Sequence, residues 1–270
     1  MKRFTIYIFC ALLVFASSVS VRAQIGNLIK ITPLIGLKFY SWGEYDNNST
    51  QNLDESGTQF LIGFSAKHEL IGNMNFYVRS DFYYYTGTVD YDGYLQNDYG
   101  GNTPYKTETG YNGFELLINS GYNFNVTHNL SLAPELGLEY EHWKRDLGKG
   151  DKHGYLESYN VFFIDFGFNG RLKISPNVSI FMKFLGEAPL SISEGVDLSS
   201  NNNLKEIDLV PKSNMGINFE TGVTAYNASF SFYIDYLLFS PSDINQSIFQ
   251  PESDRSIFGI KLAYDFYFNI

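Results

Sequence analysis

From Ile29 onward the chain alternates. Ile29, Ile31, Pro33, Ile35, Leu37 and Phe39 share one parity, and Lys30, Thr32, Gly36 and Lys38 fall between them. Successive side chains of a strand point to opposite faces, so a period of two predicts a strand with one apolar and one polar face. Phe60, Ile62, Phe64 and Ala66 repeat the pattern, as do Met74, Phe76, Val78, Phe82 and Tyr84. It continues through 114–124, 130–140, 162–174, 178–184, 215–225, 228–238 and 258–270, which makes ten predicted strands. The breaks between them are alternately short and long. Turn residues fill the short ones, at 71–73, 126–129, 176–177 and Asn227; polar stretches fill the long ones, at about 44–57, 86–110, 144–157, 187–213 and 240–255. Alternating breaks describe an up-and-down meander of five hairpins with both termini on the short-turn side.

Which face turns inward is decided by bulk and charge. The apolar face carries no Asp, Glu, Lys or Arg between strand ends, whereas the other holds Lys30, Lys38, Lys67, Glu69, Arg79, Asp81, Glu115, Glu135, Glu139, Glu141, Asp165, Arg171, Lys173, Lys183, Glu187, Glu220, Asp235, Lys261 and Asp265. Ten strands of Phe, Ile, Leu and Tyr would overfill a barrel interior. Turned toward lipid they fit, since a charge at the bilayer midplane costs about 2–4 kcal/mol, and a closed barrel pairs every backbone group where water is absent. The fold class expected is all-β, a transmembrane up-and-down antiparallel β-barrel of about ten strands. Aromatics near the strand ends suit interfacial girdles: Tyr40, Trp42, Tyr84, Tyr122, Phe124, Tyr140 and Tyr264 to Phe268. Trp143 falls on the inward parity and is expected to fill the lumen.

The start of the chain, MKRFTIYIFCALLVFASSVSVRAQ, adds a cellular address. Lys2 and Arg3 precede an apolar stretch to about Ala16, and the sequence VRA stands before Gln24, the pattern of a cleaved secretory signal. The expected organisation is a signal peptide over residues 1–23 and an outer-membrane barrel domain over 24–270, in a Gram-negative-type envelope. Cys10 is the sole cysteine and lies within the signal, so the exported part has no disulfide or thiol chemistry. Without residues 1–23, 16 basic side chains face 29 acidic ones, a balance that disfavours nucleic acid. The alternating C-terminal strand, FGIKLAYDFYFNI, with Gly259, Leu262 and Tyr264 in register, resembles the signal read by the outer-membrane insertion machinery; it departs from it at Ile257 and at the final Ile270.

Ten strands enclose a narrow lumen, because side chains fill a barrel of about eight strands and a wide channel needs about sixteen. Eight basic and eleven acidic inward residues predict an ion-paired plug rather than a filter of one sign. The long breaks, such as VDYDGYLQNDYGGNTPYKTETGY at 89–111, are read as solvated surface loops without a Ca2+ motif.

Ten strands with five tall outer segments resemble the omptin family of outer-membrane proteases. In that family an aspartate pair after the third strand and an Asp-x-His pair beyond the seventh activate a water. The resemblance implies that Asp90 and Asp92, in VDYDGY, stand where the first pair belongs. The fourth long segment contains no histidine, and Asp151 and His153 have the second spacing on the wrong hairpin. The catalytic set is therefore incomplete. The expectation is a barrel without its own chemistry: no catalytic, cofactor or metal residues, no cofactor, and a structural, surface-interaction or small-solute-passage role. The alternatives are an omptin-like endopeptidase and a narrow channel with Arg79 and Asp81 on its wall. Expected partners are outer-membrane lipid including lipopolysaccharide and the insertion machinery, with no nucleic acid and a monomeric state.

Overall fold

A computed structural model describes residues 28–269 apart from Asn47 and the segments 71–74, 97–101, 149–153, 198–206 and 246–248. The signal peptide assigned to residues 1–23 lies outside the described residues. The strands are β1 (Leu28–Tyr45), β2 (Gln51–Leu70), β3 (Phe76–Gln96), β4 (Asn102–Tyr122), β5 (Phe124–Asn125), β6 (Leu130–Leu147), β7 (Tyr155–Ser175) and β8 (Val178–Asp197). They continue with β9 (Ile207–Leu209), β10 (Lys212–Ser213), β11 (Gly216–Ala225), β12 (Ala228–Ser240), β13 (Glu252–Tyr264) and β14 (Phe266–Asn269). Ten of these form a closed antiparallel ring in the order β1-β2-β3-β4-β6-β7-β8-β11-β12-β13, with β13 pairing back to β1. The short pieces extend ring strands. β5 continues β4, β14 continues β13 past Asp265 and pairs with β1, and β9 and β10 precede β11 on the same descending limb.

The lipid-facing assignment of the apolar parity holds. Ile35, Phe60, Phe64, Leu136, Phe166, Ile180, Ile234 and Leu262 are all exposed on the outer wall, and no charge interrupts them. On β1 this surface runs from Ile29 to Phe39. Ten steps of about 3.3 Å, tilted near 40°, give roughly 25 Å, the height of an outer-membrane apolar band. Tyr84, Tyr122, Phe124, Tyr140, Tyr264, Phe266 and Phe268 stand on the outward parity as expected. Tyr40, Trp42 and Tyr267 do not. Tyr40 and Trp42 point inward, 4% and 0% exposed, because residue parity on β1 puts even numbers in the lumen. Tyr267, opposite Lys30, lines the lower cavities and donates to Asp265.

The long breaks are the larger correction. The first shrinks to Asp46–Thr50, closed by Ser49 N–H donating to Asp46 O at 2.9 Å and by Asp46 Oδ1 accepting from the N–H groups of Asn48 and Thr50. Those backbone donors hold the Asp46 carboxyl below its ordinary pKa. Strands β3 and β4 remain paired from Phe76↔Tyr122 up to Gln96↔Asn102, so most of 86–110 is sheet. The barrel thus continues above its apolar belt as a walled extension. There the phase of the pattern reverses. Outward positions become polar (Asp54, Ser56, Asp90, Lys144, Ser158) and inward ones apolar (Leu53, Val89, Tyr91, Leu147, Val161). Water has replaced lipid outside the wall, and the interior combines apolar side chains with buried charges such as Glu55, Arg145 and Glu157.

Within the belt, glycines make room for rings. Tyr77, Tyr85 and Tyr233 lie directly opposite Gly121, Gly113 and Gly259 on neighbouring strands. A Cβ at Gly259 would collide with the Tyr233 ring. The glycine of the C-terminal motif is thus a seat for a lumen tyrosine.

Candidate functional site

The lumen is occupied at its upper and middle levels and widens below them. At the top, β1, β6, β7 and β12 converge Trp42, Trp143, Tyr159 and Phe239, all at most 1% exposed. Trp143 stacks on Tyr159 with centroids 4.7 Å apart and planes 6° apart, and Trp42 packs on Phe239 at 5.3 Å. Arg145 lies 4.9 Å above the Trp42 ring and ion-pairs with Glu44 (3.3 Å), Glu55 (3.2 Å) and Glu157. Glu55 also accepts from Thr109 Oγ1 at 2.6 Å and from the Tyr111 hydroxyl. Trp42 Nε1 donates to Glu44 at 3.0 Å, so the aromatic and ionic parts lock each other. Close by, Gln250 places its amide 3.2 Å from both carboxylate oxygens of Glu194 when its nitrogen faces them.

Two carboxyls here lie above the belt, between the polar outer positions Ser158, Ser191 and Ser193. Burial pushes Glu157 up to about 7, opposed by Arg145. Burial, reinforced by the charge of Glu157, pushes Glu194 up to about 9. At the rim, Tyr45 donates to Asp254 at 2.6 Å, and that bond to a carboxylate raises the phenol to about 12.

The middle level is built on Arg255. Its Nη1 donates to both Glu141 oxygens at 2.7 Å, and Nη2 to Asp235 at 3.1 Å, while its guanidinium lies 5.1 Å over Trp143. Lys38 bonds Glu115 at 2.7 Å and caps the Tyr85 ring at 3.6 Å. The enclosed space beside them is about 30 Å³, room for a water or so. A solute path through these levels would have to displace buried aromatic rings and break ion pairs together.

Below Lys183 the lumen widens. Adjoining cavities of about 140, 380 and 560 Å³ open toward the short turns, and Arg171 lines all three. Arg79, which the sequence places on the lumen wall with Asp81, bonds Asp81 at 3.0 Å and Glu135 at 3.1 Å. Lys30 pairs with Asp265 and Lys261 with Glu220. Charge is therefore segregated along the axis rather than mixed: the upper levels are rich in carboxylates, the lower in cations.

The omptin-type residues do not assemble. Asp90 and Asp92 lie on the outward parity of β3, exposed, and Asp92 pairs with Lys106 on the outer surface. They are strand residues rather than loop residues, and strand parity turns them from the interior. Asp151 and His153 lie outside the described residues. His68 and His142 stand on the outer parity and His128 in an exposed turn, so no described histidine faces the lumen. Among the described residues no His, Cys, Asp and Glu group is arranged to hold a metal ion.

Sequence reasoning missed Glu44, Glu55, Arg145, Glu157, Glu194 and Arg255, all assigned to loops or strand ends. The signal was present in the continued alternation of NLDESGTQF and EHWKRDL, with its apolar phase inverted.

No family model and no curated protein sequence matches the chain. Solved structures do. The outer membrane protease OmpT from Escherichia coli is similar over 91% of this chain and 99% of its own, with a TM-score of 0.55 and 12% identity. The fold is the omptin-type ten-stranded barrel. At that identity the likeness speaks for architecture and not for activity. A major outer membrane protein from Thermus thermophilus is similar over 88% of this chain and 99% of its own, at 14% identity and a TM-score of 0.44. Neisserial surface protein A covers 87% of this chain and 97% of itself, at 10% identity and a TM-score of 0.32.

Proposed function

We propose that the protein is a non-conducting outer-membrane barrel that presents a strand-walled rim to the cell exterior, with a structural or surface-interaction role and no catalysis of its own. The observation that carries this reading is the upper plug. Trp42, Trp143, Tyr159, Phe239 and Arg145 leave no solvent exposure above 1% where a pore or cleft would need it. Lipid, including lipopolysaccharide, faces the apolar belt, and the insertion machinery reads the β13–β14 strand after the signal peptide is cleaved. The rim above the belt offers exposed Tyr94 and Ile244, 47% and 73% exposed, as contact points for a partner.

The test is planar-bilayer recording of refolded protein combined with digestion of a peptide library. The expected result is no discrete conductance from the wild type and steps from a Trp42→Ala/Trp143→Ala variant, with no cleavage by either. Steps from the wild type would replace this reading with the narrow channel. Cleavage abolished by Asp92→Ala would replace it with a protease.

A further inference from the structure

Closed at the rim, the barrel is open at the other end, and there its cations outnumber its carboxylates. Seven Lys and Arg side chains line the three adjoining cavities, against four Asp and Glu. Four of the cations are committed: Lys30, Lys67, Arg79 and Lys261 each hold a carboxylate within 3.2 Å. Even with Glu135 counted behind Arg79, two positive charges remain in excess.

The excess sits on one wall. Arg171 and Lys173 of β7 and Lys183 of β8 are in no ion pair among the described residues. Arg171 lies opposite Phe181, Lys183 opposite Asn169 and Lys173 opposite Ser179, which makes the three a ladder from the mouth inward. Diagonal neighbours on adjacent strands stand about 7–8 Å apart, so like charges there repel. Arg171 donates from Nη1 to Ser179 Oγ at 3.3 Å, one neutral bond for a group with five N–H donors. The carboxylates of Asp81, Glu135 and Glu220 face Lys183 from other strands, each already bonded to Arg79 or Lys261, and the unbonded carboxylate of Asp165 on β7 faces it from the plug side. An uncommitted guanidinium fork beside two lysines in a water-accessible cup is the arrangement that recognises a tetrahedral oxyanion, with Arg fixing orientation and Lys supplying charge.

We propose that this vestibule binds a small phosphate-class oxyanion, the Arg171 guanidinium gripping two of its oxygens, Lys183 neutralising it in the inner chamber and Lys173 attracting it at the mouth. The plug above makes the vestibule a blind cup, so the anion is bound rather than conducted. The 140 Å³ inner chamber admits a phosphate, and the wider mouth leaves room for an organic tail. The binding itself rests on Arg171, Lys173 and Lys183 and not on the closure above them.

Phosphorus-31 NMR of the refolded, detergent-solubilised chain measures this at constant ionic strength, with inorganic phosphate in one arm and glycerol 1-phosphate in the other. Saturable binding is expected, weakened at least tenfold by Arg171→Gln and by Lys183→Gln and unchanged by Lys106→Gln on the outer surface. Saturation with both ligands identifies free phosphate as sufficient; saturation with glycerol 1-phosphate alone identifies a phosphomonoester such as a headgroup. Lack of saturation in the wild type with both overturns the proposal, as does equal binding by Arg171→Gln. Should Arg171→Gln not refold, the Lys173→Gln/Lys183→Gln pair decides on the same criterion.

Discussion

Removing the cation at the centre of the upper plug, by Arg145→Met, isolates its ionic part while keeping most of the side-chain volume. Arg145 is fully buried and serves Glu44, Glu55 and Glu157. Removing one member of a buried ion pair costs about 3–5 kcal/mol, because the partner is left charged without compensation. Glu55 retains Thr109 and Tyr111 as donors, Glu44 retains Trp42 Nε1, and Glu157 retains the Tyr159 hydroxyl at 3.2 Å. Those neutral donors soften the loss without replacing a charge, so a destabilisation of about 3 kcal/mol at pH 8 is expected. The chain's only tryptophans, Trp42 and Trp143, flank the site, so their emission reports the plug itself. Urea unfolding followed at their emission maximum should show an earlier transition and, before it, a red shift as water enters. Part of the loss should return at pH 5, where Glu157, raised by burial, takes up a proton. A variant that unfolds within about 0.5 kcal/mol of the wild type at pH 8, with unshifted emission, would refute the account of the plug.

The raised carboxyls make the plug's stability depend on pH in a definite direction. Glu157 and Glu194 bind protons more tightly folded (about 7 and about 9) than unfolded (near 4.5), so their contribution is fully present below pH 4.5 and is lost as pH rises through 7 to 9. Glu194→Gln should flatten that decline in urea midpoints measured from pH 5 to 9; an unchanged slope would contradict it. Gly259→Ala places a methyl into the Tyr233 ring and should cost about 1–3 kcal/mol, read from the unfolding midpoint. Tyr233→Ala added to it should be less costly than the two singles summed, and strict additivity would disprove the contact. Ile234→Lys, on the outer belt, should cost about 2–4 kcal/mol in a bilayer, whereas Ser158→Lys above the belt should stay within about 0.5 kcal/mol. Equal costs at both positions would remove the lipid-facing assignment.

Local sequence specifies the ten ring strands, their meander order and which parity meets lipid. Those follow from a local period of two and from the cost of a charge in hydrocarbon, and both act one strand at a time. It also located the lumen charges of the belt, from Lys30 on β1 to Asp265 beyond β13, because inward parity needs no partner to be read. The height of the wall was not legible. Polar outward runs such as Asn52, Asp54, Ser56 and Thr58 look like loop until a neighbouring strand is known to pair beside them. Pairing across the ring is also what brings Arg145 of β6 to Glu44 and Glu55 of the first hairpin, and Arg255 of β13 to Glu141 of β6. No local period encodes a contact between residues a hundred positions apart. Closure of the ring decided it, by choosing which inward side chains share a level and so separating an acidic plug from a basic cup.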